Sequence, residues 1–236
     1  RIVFLLAALI SWGFSCPQAS LPYAVGEYSK FTISFGLVNV GHAEMKILNK
    51  SSLDKKNTLH ITGEGRTSPF FDWFFKVRDF YETIIDTSSL LPLRFNRDVN
   101  EGGHIIKQEY NFFHKENIVK TQDDRSFNIS NNTQDMFSAL FYARTFKKTE
   151  LKKTKSFLIP IFMDNENYFL NIEYLNNEIL TTKWGNINCM VFKPKMQEGR
   201  VFEDGEKMKI WISDDNNHLL MKVETEIWAG TIKAVL

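Results

Sequence analysis

The chain is short of several residue types, and each shortage excludes a class of protein. Only two cysteines occur among 236 residues, so a disulfide-rich scaffold is excluded. Twelve glycines and six prolines are too few for a collagen-like or low-complexity sequence. Neither charge sign dominates, because 29 basic and 28 acidic residues leave a net charge of +1, which argues against an electrostatic nucleic-acid binder. The five histidines are dispersed without metal-ligand spacing, and we therefore predict no metal site.

Catalytic motifs are missing as well. The sequence has no Gly-x-Ser-x-Gly elbow, no Cys-x-x-Cys pair and no Gly-x-x-x-x-Gly-Lys phosphate loop. Two pairs of adjacent acids, Asp123 with Asp124 and Asp214 with Asp215, resemble catalytic carboxylate pairs. Neighbouring side chains on a strand point to opposite faces, however, and acids in turns accept hydrogen bonds from the backbone. We therefore predict a protein that is not an enzyme and that needs no cofactor.

The first residues carry the longest apolar run. Residues 2–10 form an unbroken apolar stretch followed by small residues, which is typical of a secretory signal peptide and too short for a stable bilayer anchor. We predict a signal peptide at residues 1–20, cleaved after Ala19 or Ser20, and no transmembrane span after its removal. Cleavage before Cys16 would instead give a lipoprotein acylated at that cysteine, and an uncleaved signal anchor is the third alternative. Export predicts a location in the periplasm or at the outer-membrane periphery of a Gram-negative bacterium.

Aromatic residues are present in excess. They make up 14% of the chain, with 21 phenylalanines, and they favour sheet surfaces or an apolar pocket over a helical bundle. Apolar and polar residues alternate with the period of a β-strand in short segments separated by turn residues. The predicted strands are residues 31–35, 43–47, 59–61, 81–85, 93–99, 105–113, 117–121, 168–174, 189–192, 207–212 and 219–228. The pattern predicts an antiparallel, all-β dominated fold, with Cys189 as a buried and inert thiol.

Two segments break the strand pattern. Residues 133–147 place four apolar side chains at helical spacing after Thr133, which can cap a helix. Residues 68–75 combine a serine and a proline with a run of aromatics, and they predict a short capped helix. We expect the longer helix to pack against a curved sheet, since a lone sheet would leave a large apolar face in water. Five lysines at residues 147–155 are interpreted as its solvated end and a turn.

The candidate binding residues are aromatic and basic. Five aromatics fall within six residues, so some of them are expected to line a pocket, meet a partner, contact lipid or plug an open barrel end. Three arginines on successive strands could cluster to recognise an anionic headgroup or sugar acid, or could fix the strand register. The candidate ligand-binding residues are Phe70, Phe71, Trp73, Phe74, Phe75, Arg78, Arg94 and Arg97. The predicted structural polar network comprises Asp79, Glu101, and the two turn acids Asp86 and Asp214.

Several groups of residues along the chain resemble one exported bacterial family. They are Gly26-Glu27, residues 31–36 with Gly41, Gly63-x-Gly65-x-Thr67-Ser68, residues 74–79 with Tyr81, Leu91-Pro92, Arg94-Phe95, Arg97, Glu101-Gly102, Gln134-Asp135, and residues 138–144, 211–215 and 230–234. On these residues, positions 23–236 resemble the family catalogued as domain of unknown function 3108. The resemblance implies a single exported β domain, with a curved antiparallel sheet that forms an incomplete barrel. It assigns no reaction and no catalytic residues.

The hairpin that contains Asp86 carries a second resemblance. It is similar to a hairpin of bacterial lipoprotein carrier and receptor proteins and of periplasmic lipid-sensing regulators, whose sheets wrap an acyl-binding cavity. We therefore predict an exported cell-envelope protein that binds a hydrophobic or lipid-like ligand within its sheet, without catalysis. The alternative is a structural or assembly factor that binds another envelope protein or a polysaccharide export machine. Ligand binding predicts that Phe74→Ala or Leu140→Ala changes ligand loading.

Overall fold

A computed structural model of the chain describes residues 21–53, 56–196 and 207–236. The predicted signal peptide, its cleavage sites and Cys16 lie outside the described residues. Within the described part of the chain, no helix is long and apolar enough to cross a membrane. The structure is mostly antiparallel β with two short helices, which confirms the predicted fold class.

Fourteen strands of the described residues form a single antiparallel sheet. They are β1 (Tyr28–Phe35), β2 (Val38–Leu53), β3 (Lys56–Thr67), β4 (Val77–Asp86), β5 (Pro92–Glu101), β6 (His104–Phe113), β7 (Ile118–Thr121), β8 (Ser126–Asn128), β9 (Ser156–Met163), β10 (Glu166–Thr182), β11 (Gly185–Met196), β12 (Lys209–Ser213), β13 (Leu220–Ile227) and β14 (Gly230–Val235). Neighbouring strands follow the order β8-β7-β6-β5-β4-β3-β2-β1-β14-β13-β12-β11-β10-β9. The sheet is unclosed, and its free edges are β8 and β9.

The turns of this sheet gather at two ends of the molecule. In an antiparallel meander, successive turns alternate between the ends. The β1–β2, β3–β4, β5–β6 and β13–β14 turns share one end, here called the upper end. The β4–β5, β6–β7, β10–β11 and β12–β13 turns share the opposite, lower end. The register between strands therefore decides which loops lie together in space.

The predicted helix at residues 133–147 is replaced by two shorter helices. Helix α1 spans Ser138–Arg144, and helix α2 spans Lys148–Thr154, so most of the lysine-rich segment is helical and not a turn. The chain pairs with β9 before α1 begins, because the Gln134 N–H donates to the carbonyl oxygen of Pro160 at 2.8 Å. This tertiary hydrogen bond holds the start of the predicted helix in an extended form.

Asp135, and not Thr133, caps α1. The Thr133 hydroxyl donates to the carbonyl oxygen of Ser130 at 2.7 Å. Asp135 Oδ1 accepts the backbone N–H groups of Phe137 and Ser138 at 2.8 and 2.7 Å. The carboxylate thus satisfies donors that the first turn of a helix leaves free.

The predicted helix at residues 68–75 is reduced to a single turn. A 3-10 turn covers Phe71–Trp73 and buries none of its residues. The Ser68 hydroxyl donates to the carbonyl oxygen of Val40 at 3.1 Å, so it does not cap this turn. The segment is an exposed loop between β3 and β4.

The sequence pattern missed three strands, β8, β9 and β14, and β9 is the one that matters for the core. Its residues form a continuous apolar run without alternation, and Ile159, Ile161 and Phe162 are buried. Pro160 lies within the strand, which is tolerated because β9 is at an edge of the sheet. An apolar run of this kind does not distinguish a buried strand from a helix.

The core lies between the inner face of the sheet and α1. Phe137 packs over Gly63 of β3, where a Cβ atom would lie 2.7 Å from the phenylalanine ring. The glycine therefore lets the start of α1 approach the sheet closely. Phe141, one turn later, is 1% exposed and packs edge-on against Tyr23. The side chains of Phe137 and Phe141 thus fill the part of the interior between α1 and the sheet that they reach.

Candidate functional site

An apolar cavity of about 600 Å³ lies between the helices and the inner face of the sheet. This volume falls in the range of ~300–1,000 Å³ that small-molecule sites occupy. Helix α1 supplies Leu140 and Ala143, and the strands supply aliphatic, methionine and phenylalanine side chains. The strand residues of the lining include Ile172, Met190, Phe192 and Ile212, which pack in one cluster. The cavity is therefore suited to an apolar ligand.

Strand alternation decides which side chains face the cavity. Met190 and Phe192 of β11 point inward and line it. Cys189 and Val191 point to the opposite face, where they pack in a separate cluster with Trp211. Burial, with a smaller effect of nearby acids, raises the pKa of the Cys189 thiol to about 11. The thiol is therefore protonated at neutral pH and takes no part in the cavity.

Four polar side chains of β4 and β5 lie at one end of the cavity. Tyr81, Arg97 and Glu101 line it, and Asp79 lies beside Glu101. Arg97 pairs with Asp164 at 3.2 Å, and its guanidinium lies 6.0 Å from the centre of the Tyr81 ring. Burial and then the neighbouring Glu101 raise the pKa of Asp79 to about 6. This end of the cavity, here called the polar mouth, thus combines one cation with acids, one of which titrates near neutral pH.

The polar mouth faces the upper end of the molecule. Glu101 is the last residue of β5, directly before the upper β5–β6 turn. Exposure also rises toward this end along the inner face of β1, from 3% at Phe31 to 39% at Phe35. The interior is therefore open toward the upper turns.

The lower end is closed by a buried ion pair. Arg144, the last residue of α1, is 4% exposed and bonds to both carboxylate oxygens of Glu27 at 2.6 and 2.9 Å. Its guanidinium also donates to the carbonyl oxygen of Asn217 and lies 5.1 Å from the centre of the Tyr23 ring. The Arg144 carbonyl oxygen is 2.7 Å from His218 Nδ1. These bonds join α1 to the β12–β13 turn and to the segment before β1.

The loop at residues 68–76 between β3 and β4, here called the aromatic loop, does not line the cavity. Phe70, Trp73, Phe74 and Phe75 are all more than half exposed at the upper end, and Phe71 is partly exposed. Some of the five aromatics were expected to stay outside the buried face, because a short helix cannot bury them all, and here the single 3-10 turn buries none. Phe70 with Phe71, and Trp73 with Phe74, form edge-on pairs on the surface.

The three candidate arginines do not cluster. Arg78 reaches back to Asp72 in the aromatic loop at 2.5 Å. Arg94 points outward and pairs with Glu109 at 3.0 Å. Only Arg97 faces inward and lines the cavity. Arg94 and Arg97 are three residues apart on one strand and so point to opposite faces, which is why a shared headgroup site does not form.

The four predicted network acids separate into two groups. Asp79 and Glu101 come together at the polar mouth. Asp86 accepts the Ser88 N–H at 2.8 Å, as predicted for a turn acid. Asp214 differs, since it pairs with Lys148 of α2 at 2.6 Å, while the neighbouring Asp215 accepts the backbone bonds of the turn. The adjacent acids Asp214 and Asp215 therefore have different partners, because their side chains point in different directions.

In the part of the chain that the structure describes, no group of three or more His, Cys, Asp or Glu side chains could hold a metal ion. The cavity lining was not predicted residue by residue, although alternation in 168–174, 189–192 and 207–212 is the signal that could have found its strand half. Of the charged residues named from the sequence, Asp79, Arg97 and Glu101 lie together at the polar mouth.

Comparison with known proteins shows which family the chain belongs to. The family described as "Protein of unknown function (DUF3108)" matches residues 30–236. The chain belongs to this family. No curated protein matches the chain.

The fold is similar to that of a solved structure. That structure is described as a β-barrel-like protein of domain of unknown function DUF1849 from Brucella abortus, with a TM-score of 0.56 and 8% sequence identity. The match covers 89% of this chain and 94% of that one. At such low identity the likeness shows a barrel-like fold alone.

Proposed function

We propose that this protein binds an amphiphilic molecule with an apolar tail, without changing it chemically. The observation that carries the proposal is the preformed apolar cavity of about 600 Å³ with one polar mouth. Transfer of a methylene group from water to such a site releases about 0.8 kcal/mol. An acyl chain or a similar tail is therefore the class of ligand that the lining supports.

The polar mouth supports a headgroup that both donates and accepts hydrogen bonds. Arg97 Nε is buried and has no hydrogen-bond partner within the described residues, so it is a donor that a ligand could satisfy. Glu101 and Asp79 supply acceptors beside it. Because Asp164 already pairs with Arg97, the mouth carries no excess positive charge, so we expect the apolar tail, and not an anionic headgroup, to supply most of the affinity. A hydroxyl-rich or zwitterionic headgroup suits this arrangement.

A binding role without catalysis is supported by how the polar groups are used. Arg144 and His218, the other polar groups of the lining, are held in the bonds that close the lower end. The thiol of Cys189 lies on the opposite face of β11. We place the protein in the cell envelope, on the basis of the signal-peptide pattern at residues 1–20.

The alternative, an assembly factor, is favoured by one observation. The aromatic loop exposes several large apolar side chains close together, whereas exposed apolar residues on an ordinary surface are scattered singly. Under this alternative the loop would bind another envelope protein and the cavity would stay without a ligand. A protein that co-purifies through this loop, together with an empty cavity, would support it.

Binding of a fluorescent fatty acid tests the proposal. cis-Parinaric acid should bind the purified protein with enhanced fluorescence, and Ala143→Phe should weaken that binding about tenfold or more, because the larger side chain occupies cavity volume. Leu140→Ala should also change the affinity, since Leu140 lines the cavity, whereas Phe74→Ala should not.

The matched control is Leu180→Ala. Leu180 packs against the Cys189 cluster on the opposite face, so the variant loses stability without altering the cavity. It should bind the probe as the unaltered protein does. Probe binding that is unchanged in Ala143→Phe, or that falls equally in Leu180→Ala, would contradict the proposal. Native mass spectrometry of protein from its own envelope fraction should then show a lipid-sized adduct that is lost on denaturation.

A further inference from the structure

Exposed apolar side chains are concentrated on the upper turns. We call this surface the apolar rim, and its main members are Leu37, Phe70, Trp73, Phe74, Phe75 and Trp228. Trp73 is 83% exposed and Trp228 is 94% exposed, although tryptophan gains most from burial. Single exposed apolar residues are ordinary, but a group on adjoining turns marks a contact surface.

The turns of the apolar rim are joined to one another. The Gly36 N–H donates to the carbonyl oxygen of Thr231 at 2.9 Å, which ties the β1–β2 turn to β14. The Ser68 N–H donates to the carbonyl oxygen of Val40 at 2.9 Å, which ties the aromatic loop to β2. Phe75 lies against the β5–β6 turn, where a Cβ atom at Gly102 would clash with its ring. The rim is therefore one connected surface.

The rim turns themselves carry few charges, and the acids Glu101 and Asp79 of this end belong to the polar mouth. The rim turns, at residues 36–38, 68–76, 102–105 and 228–230, contain a single acid, Asp72. Its carboxylate is bonded by Arg78 at 2.5 and 3.0 Å and by the Thr67 hydroxyl at 2.5 Å, and these bonds lower its pKa. Lys76, at the end of the aromatic loop, is exposed. No unpaired acid therefore accompanies the exposed aromatics of these turns.

We propose that the apolar rim docks this protein on the surface of a lipid bilayer. Aromatic side chains next to basic ones are the combination that settles at a membrane–water interface. The free strand edges, β8 and β9, are not part of the rim, so the rim has no edge at which a partner's strand could add. The polar mouth opens at the same end, and a docked protein would therefore turn its cavity toward the membrane. Docking itself requires no ligand in the cavity.

Flotation with vesicles tests the docking. Vesicles of phosphatidylethanolamine and phosphatidylglycerol should carry the purified protein upward in a density gradient. The double variant Trp73→Ser with Phe74→Ser should lower the bound fraction about tenfold or more, since each ring loses a favourable burial in the interface. Trp228→Ser should lower it by a smaller factor. These side chains are exposed, so the variants should fold normally, which circular dichroism would verify.

The control variant is Trp184→Ser. Trp184 is 58% exposed but lies in the β10–β11 turn at the lower end, so its loss should leave flotation unchanged. Brominated phosphatidylcholine added to the vesicles should quench tryptophan fluorescence, and Trp73→Phe should remove more of that quenching than Trp184→Phe. Probe binding in the cavity is measured separately, so a failure of the proposed ligand binding is distinguishable from a failure of docking.

Three results would overturn the docking. The first is flotation that is equal in the double variant and the unaltered protein, which would assign binding to another segment such as residues 2–10. The second is loss of flotation in Trp184→Ser. The third is concentration-dependent dimerisation in the absence of vesicles that the double variant abolishes, because the rim would then bind a second copy of the chain.

Discussion

The upper and lower ends of the molecule are built by the same sheet, and yet they differ in how deeply their main ion pair is buried and in how much aromatic surface they expose. At the lower end, Arg144 and Glu27 form a buried pair that joins α1 to the segment before β1. At the upper end, the comparable pair of Arg78 and Asp72 is partly exposed and supports a loop of exposed aromatics. One end therefore holds the fold together, whereas the other presents apolar surface to its surroundings.

This difference shows how an unclosed sheet can be stable and still keep an open interior. Helix α1 is fixed at its start by Asp135 and at its last residue by Arg144. Because the helix has only 7 residues, it fills only part of the space inside the sheet. The remaining space is the cavity, which opens at the end without a buried clamp. Stability and access are thus assigned to opposite ends.

The largest expected effect comes from breaking the clamp at the lower end. Arg144→Met leaves the Glu27 carboxylate without its partner and should lower the free energy of unfolding by roughly 3–5 kcal/mol. Arg78→Met breaks the upper pair, whose side chains are 40% and 23% exposed, and should lower the free energy of unfolding far less, because solvent screens an exposed ion pair. Urea unfolding of both variants provides the measurement. Equal losses would show that the two ends do not differ in this way.

A smaller loss should follow from removing the cap of α1. Asp135→Ala leaves the backbone donors of Phe137 and Ser138 without an acceptor. The buried hydroxyl of Thr83 would keep only its longer bond, of 3.4 Å, to the carbonyl oxygen of Arg94. The expected cost in unfolding free energy is roughly 2–4 kcal/mol. Asp135→Asn retains an acceptor oxygen and should recover most of that loss. If the alanine and asparagine variants were equally unstable, the capping bonds would not be the cause.

The polar mouth should make stability depend on pH. The pKa of Asp79 rises from 3.8 to about 6 on folding, so between these values the folded state holds a proton that the unfolded state has released. The contribution of Asp79 to the free energy of unfolding is therefore fully present below about pH 4 and is lost as pH rises through about 6. For a partly solvated group, this contribution is on the order of 1 kcal/mol. Unfolding of Asp79→Asn, compared with the unaltered protein from pH 4 to 7, should show a flatter dependence. An identical slope in both proteins would contradict this assignment.

The smallest effect on stability is expected at the apolar rim. Trp73→Ser should change the free energy of unfolding by no more than about 0.5 kcal/mol, because the side chain has little contact to lose. The same protein should still bind a fluorescent fatty acid in its cavity. A loss above 2 kcal/mol in thermal or urea unfolding would mean that the rim is part of the core, and would remove the contrast between the ends.

Local pattern predicted much of the sheet but little of the helical part. Alternation in segments such as 93–99 and 168–174 survives in β5 and β10, because a strand with unlike faces has its period written in its own residues. The start of the helix predicted at 133–147 failed, since Gln134 bonds to Pro160, which is distant in sequence. Strand β9 was missed because its burial on both sides removes the alternation that identifies a strand.

The candidate site divides in the same way. The aromatic loop could be recognised in the sequence because five rings within six residues are more than a short helix can bury. Arg97 and Glu101 could be placed on one face because they are four residues apart on one strand. The apolar lining depends on Ala143, Met190 and Ile212, which come from different elements and meet only in the folded sheet. Alternation predicts that such residues are buried and does not say against what.

The amino-acid sequence is enough to predict a mainly antiparallel β protein and one short segment that holds more aromatics than a helix turn can bury. Both properties depend on residues close together in the chain. Three features appear only in the folded chain: α1 is clamped at the lower end, three arginines point to different partners, and a cavity opens beside the apolar rim. These depend on strand register and on the curvature of the sheet, which are set by contacts between residues far apart in sequence.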